Sequence, residues 1–231
     1  MDVVGIYTRA VEIFRTNYII ALPFVAVNVF VALLFALLAG GMMMAGEQPL
    51  QGNPGLVRMG TIVGAAAFVT LLSWVLNILA QGMAVGMCRA ALRNGANLED
   101  GIEVLGKKFG ALVAASLLVS LIVASGLVLL ILPGLVAGFL LMFTVVALVL
   151  EDLGAVEAMR RSYAVVRSNL GSAFVYAVLM VALWFIAGMV SALLAKVPVV
   201  GYTLLSPLLD GVVSAVITIA GVLFFTEATV T

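Results

Sequence analysis

The chain has 231 residues, 65% of them hydrophobic and 10% charged, with a mean hydropathy of +1.31. Soluble domains carry roughly a quarter charged residues, so this composition excludes them and marks an integral membrane protein. Eleven basic and eleven acidic residues cancel, leaving no overall field to gather nucleic acid or anionic substrates. Histidine is absent and Cys88 is the single cysteine. An intrachain disulfide and a Cys/His zinc site are therefore excluded, the commonest general base is missing, and no metal or cofactor is expected; Cys88 is expected to be a small buried apolar residue.

Uncharged runs cover 16–46, 59–88, 109–150, 168–195 and 197–209, and about 20 residues of helix cross the hydrocarbon. Apolar and polar residues do not alternate, which argues against a β-barrel. The first stretch, 2–16, is amphipathic: Ile6, Tyr7, Ala10, Val11 and Phe14 lie opposite Arg9, Glu12 and Arg15, with Asp2 as N-cap. It leads into a first span near 18–39, longer than the apolar core of a cleavable signal. A loop rich in Gly and Pro, 40–55, separates it from a second span near 60–88.

Residues 97–109, NLEDGIEVLGKKF, form a second amphipathic piece with Leu98, Ile102, Leu105 and Phe109 at helical spacing and Asn97 and Asp100 placed as a capping box. The 42 uncharged residues 109–150 would make a helix of about 60 Å, twice the hydrocarbon thickness. They must fold back, and Pro133-Gly134 is the expected turn, giving spans near 110–132 and 134–150.

The longest polar interruption, EDLGAVEAMRRSYAVVRSN at 151–169, predicts a helix lying on the membrane. Val156, Met159, Tyr163 and Val166 fall on one face, Glu157, Arg160, Arg161 and Arg167 on the other. Asp152 is placed to cap its start, and the arginines oppose the negative pole of the helix dipole. Spans near 170–195 and 200–226 complete the set. The expected fold is all-α and polytopic: six transmembrane helices in three hairpins, each preceded by a cytoplasmic interfacial amphipathic helix. They form a single membrane domain with possible repeat units 2–88, 97–150 and 152–226.

Aligning residues 9–24 with 161–176 matches Arg9 with Arg161, Arg15 with Arg167, Thr16 with Ser168, Asn17 with Asn169 and Ala21 with Ala173. The middle unit shares only the outline. Nine Lys and Arg residues fall on the side of the N-terminus and the second-to-third and fourth-to-fifth connections, against Arg58 and Lys196 on the other. The positive-inside rule then places both termini in the cytoplasm, with the chain in the cell membrane. Nine acids share the basic side, so its net charge is zero, which argues against a dedicated polybasic lipid-binding surface.

The segment 149–174, VLEDLGAVEAMRRSYAVVRSNLGSAF, resembles one found in the membrane domain attached to some glycerophosphoryl diester phosphodiesterases and in related prokaryotic six-span proteins. The matching residues are Glu151, Asp152, Ala158, Arg161, Ser162, Arg167 and Asn169. The resemblance implies a six-span membrane domain. In those enzymes catalysis belongs to a separate soluble domain with a metal site, so no catalytic residue carries over.

Asp210 is the one acid well inside a predicted span. Seventeen helical residues separate it from Glu227, which puts it about 25 Å up, close to the outer boundary. There it has a structural role, paired with Lys196 or Arg58, or it binds a coupling ion or substrate. Asn28, Asn77 and Gln81 are the polar groups nearest the midplane, either bonding between helices or lining a cavity. The expected function is that of a non-catalytic membrane protein, a scaffold, assembly or lipid-interacting protein whose partners are membrane lipids and not nucleic acid. The alternatives are a transporter or channel using Asn28, Asn77, Gln81 and Asp210, and a lipid-acting enzyme built on Glu151 and Asp152.

Overall fold

The computed structural model describes residues 1–45, 54–93, 95–197 and 200–230, without the side chains of 39–45 and 54–62. The centre of the Gly- and Pro-rich loop and the side chain of Arg58 lie outside the described residues. The described residues form nine helices: α1 (Val3–Thr16), α2 (Leu22–Ala45), α3 (Pro54–Ala91), α4 (Leu98–Leu129), α5 (Ile131–Leu140), α6 (Thr144–Leu150), α7 (Ala155–Ser168), α8 (Leu170–Leu194) and α9 (Ser206–Val230), with no strand among them. A tight turn of helix, Tyr18–Ala21, precedes α2, and a wide one, Gly201–Leu205, precedes α9. Six stretches are long and apolar enough to cross a membrane: Tyr18–Leu38, Val63–Ala91, Leu98–Leu129, Ile131–Leu150, Leu170–Leu194 and Gly201–Val230. This is a multi-pass membrane protein.

The last helix, α9, is the axis of the molecule. It packs against α1, α2, α3, α6, α7 and α8, and from Ser214 to Phe225 nearly every residue is buried. Around it, α8 and the α4–α5 pair turn large apolar side chains outward, among them Phe174, Phe185, Leu121 and Leu135. Because acyl chains are as apolar as leucine, burial here brings no transfer free energy, and close packing must hold the helices together. Gly211 is one such contact: a Cβ there would sit 2.5 Å from Val25 Cγ2 and 2.9 Å from the Val25 backbone nitrogen. Toward the other end of α9, Phe143 stacks on Phe224 at 5.0 Å between ring centroids, and Tyr176 lies 5.1 and 5.4 Å from those two rings. Such pairs contribute about 0.5–1.5 kcal/mol each beyond their contact area.

Three expectations are corrected. The segment 97–109 is not a helix of its own: α4 runs unbroken from Leu98 to Leu129. The fold-back lies at Leu130, in extended conformation, not at Pro133-Gly134. Pro133 sits in the first turn of α5, where its missing N–H has no partner to lose, and Gly134 serves the contact, since a Cβ on it would meet the Leu127 nitrogen at 2.6 Å. The fourth span is interrupted at Leu141–Phe143, dividing it into α5 and α6.

Gly211→Val should overpack the α2–α9 contact, at a cost of about 1–3 kcal/mol, and lower the melting temperature in detergent. Gly64→Val, where a Cβ meets nothing within 4 Å, should leave it unchanged.

Candidate functional site

The ion pairs among the described residues lie at one end of the bundle and bind its pieces to each other. Asp2 caps α1 by accepting from the Gly5 N–H at 3.1 Å, and Arg9 of α1 pairs with Glu227 near the end of α9 at 2.8 Å. Val3, Ile6 and Ala10 are buried, so the apolar face of α1 rests on α9 and not on lipid alone. Its end is closed by Asn17, whose Nδ2 donates to the Ile13 carbonyl at 3.2 Å. Asn17 Oδ1 accepts from the Ala96 N–H at 2.9 Å, which ties this joint to the connection between α3 and α4.

The second polar helix repeats that joint. Asn169 Nδ2 donates to the Val165 carbonyl at 3.2 Å, and its backbone (φ −125°, ψ 38°) nearly matches that of Asn17 (φ −130°, ψ 48°). Positions aligned in sequence are also buried alike: Ile6 with Ala158, Ala10 with Ser162, Phe24 with Tyr176. Ala158, Ser162, Val165 and Val166 point inward, while Val156 and Tyr163 are exposed, Met159 is half-buried and Arg160 exposed. Tyr163 accepts a hydrogen bond from Arg167 at 3.2 Å, under whose guanidinium its ring lies.

Ser162 is fully buried and closes the break in the fourth span. Its Oγ donates to the Leu140 carbonyl at 3.0 Å and accepts from the Phe143 N–H at 3.2 Å. Arg161 beside it grips Glu151, Nε to the two carboxylate oxygens at 2.9 and 2.8 Å, and its guanidinium lies 5.9 Å from the Phe225 ring. Asp152 does not cap α7: the helix starts after Gly154, whose N–H donates to Glu157 at 3.3 Å. Asp152 has φ 57°, a left-handed conformation that aspartate tolerates better than most residues, and pairs with Lys108 of α4 at 2.6 Å. That hydrogen bond and the ammonium charge hold its carboxyl below the usual aspartate range.

Beside this pair a cavity of about 620 Å³ opens between the end of α3, the start of α4 and the turn after α6. Arg89, Arg93, Asn97, Lys107, Lys108 and Asp152 are on its wall. Asn28, Asn77, Gln81 and Asp210 do not line it. Asn77 is half-buried and bonds within its own helix, Nδ2 to the Ser73 carbonyl at 2.9 Å; Asn28 and Gln81 are half-buried on α2 and α3. Asp210 accepts from Ser191 Oγ of α8 at 3.0 Å, and among the described residues it makes no ion pair with Lys196; the side chain of Arg58 is not described. Cys88 is buried in the core, as its burial habit predicted. The sequence reading used Ser162 only as part of a resemblance, and Arg89 and Arg93 only in a charge count. A serine four residues after alanine on an inward helix face, next to an uncharged run too long for one span, was the available signal for Ser162.

A family model described as a domain of unknown function, DUF7847, matches residues 101–231, more than half of the chain. The protein belongs to the DUF7847 family. The matched part of this DUF7847 protein holds α4 from its second turn through α9, hence the Ser162 joint and the aromatic cluster, while α1 to α3 with Arg89 and Arg93 precede it. No curated protein and no solved structure matches the chain.

Ser162→Ala should leave a buried carbonyl and a buried N–H without partners, a loss of about 1–3 kcal/mol, read as a lower melting temperature and faster amide exchange at Phe143. Because the Asp152 carboxyl is held down in the folded state, the pair stabilises the fold above the ordinary aspartate pKa near 4, and that contribution disappears as the pH falls through the lowered value. Lys108→Gln should return the Asp152 titration, followed by side-chain NMR, to the ordinary aspartate range.

Proposed function

We infer that this DUF7847 protein is a non-catalytic scaffold of the cell membrane that works in contact with lipid, with both termini in the cytoplasm and α1 and α7 at the inner interface. The observation that carries this reading is how seven of its ten described carboxylates are used. Asp2 and Glu157 bond helix starts, Asp100 accepts from the Asn97 N–H, and Glu103, Glu151, Asp152 and Glu227 each hold a Lys or Arg. Acids spent on joints are not free for proton transfer, which requires a group poised toward a substrate. Placing the basic end in the cytoplasm follows the positive-inside rule. The resemblance to the membrane domain of glycerophosphoryl diester phosphodiesterases agrees with a membrane-embedded part that does no chemistry itself.

One observation favours transport as a second reading. Asp210 lies in a span beside Pro207 and the wide turn Gly201–Leu205, and its carboxylate joins α9 to α8 through Ser191; interrupted helices with an acid nearby are a common way to hold a coupling ion.

Proteoliposomes of the purified protein should leak protons and small ions no faster than empty vesicles. A flux abolished by Asp210→Asn would replace the scaffold reading with the transport one. Tags on both termini should be reachable only after the cells are permeabilised.

A further inference from the structure

We propose that the cavity between α3, α4 and the turn after α6 is a binding site for a phosphate ester, gripped by Arg89 and Arg93. This rests on the reading of the protein as lipid-contacting and names the chemistry of the contact.

The charges around the cavity are not equivalent. Lys107 is held by Glu103 and Lys108 by Asp152, and the third acid on the wall, Asp100, accepts from the Asn97 N–H. Each acid of the wall is thereby committed to a neighbour. Arg89 and Arg93 are left over: among the described residues neither has a carboxylate within ion-pair distance. Both are exposed and both face the cavity. The wall carries four cations, Arg89, Arg93, Lys107 and Lys108, and three acids, Asp100, Glu103 and Asp152, so the neutral sum of the whole polar end conceals a local excess of one positive charge, with two guanidinium groups four residues apart in no ion pair among the described residues.

A guanidinium offers a planar fork of N–H donors that matches two phosphate oxygens, and it sheds its hydration more readily than an ammonium. Two such forks one helical turn apart suit a tetrahedral anion with several oxygens. The positive pole of α4 adds to the field, since α4 begins at Leu98 and its cap Asn97 is on the wall. At about 620 Å³ the space falls within the usual range for small-ligand sites, about 300–1,000 Å³. Arg89 lies in the last turn of the apolar span Val63–Ala91, at its end and not in its middle. Both an anionic lipid headgroup and a dissolved phosphate carry the required chemistry.

The test follows the melting temperature of the full chain in neutral detergent during titration with short-chain phosphatidic acid, short-chain phosphatidylcholine or inorganic phosphate. Phosphatidic acid should raise the melting temperature saturably and phosphatidylcholine should not. R89Q/R93Q should increase the half-saturating concentration at least tenfold, while R15Q/R160Q, on exposed arginines away from the cavity, should leave it unchanged. Stabilisation by inorganic phosphate alone, lost in R89Q/R93Q, upholds the site and removes the lipid reading. Equal stabilisation of wild type and R89Q/R93Q by phosphatidic acid keeps the lipid reading and overturns the site, as does the absence of any response to either anion. If the double variant does not fold, R93Q, altered in the turn beyond α3, should alone weaken the response severalfold, and an unchanged response overturns the proposal.

Discussion

A helix interrupted inside a membrane exposes carbonyl and N–H groups that no water can reach, and each one left bare costs several kcal/mol. This constraint decides where the chain can bend. The fourth span breaks at Leu141–Phe143 because Ser162, on another helix, takes both the Leu140 carbonyl and the Phe143 N–H, while Thr144 bonds the Leu141 carbonyl at 2.7 Å. The first and fifth spans begin after an asparagine that folds back onto the carbonyl four residues before it. At Phe109 the helix continues.

The joints explain the shape of the polar end. Arg9 with Glu227 and Lys108 with Asp152 link parts distant in sequence, and Arg161 with Glu151 ties α7 to the turn that precedes it. Exposed pairs of this kind contribute little individually, but here they fix the position of α1 and α7 around the end of α9, above the aromatic cluster of Phe143, Tyr176 and Phe224. Tyr176 adds a bond from its hydroxyl to the Ile217 carbonyl, and Tyr7 one to the Tyr176 carbonyl. Glu151, Asp152, Arg161, Ser162 and Asn169 are thus the residues that set the bends and pairings of this region.

What the sequence by itself determined is the part governed by summed transfer free energy: a helical membrane protein with six sufficiently apolar stretches, and polar segments at 2–16 and 151–169 that form helices of their own. The Thr-Asn and Ser-Asn endings of those segments align in the sequence, and the structure gives them matching joints. Only the tertiary structure decided which face of α7 turns inward, because Ala158 and Ser162 are selected by close approach and a buried hydrogen bond, not by hydrophobicity. The same holds for the interruption at Leu141–Phe143, whose partner lies 19 residues or more away, and for which cations of the cavity wall enter ion pairs and which, Arg89 and Arg93, do not among the described residues. Composition is additive along the chain. Pairing depends on which groups the fold brings within about 3 Å, and at that range a single bond outweighs a summed average.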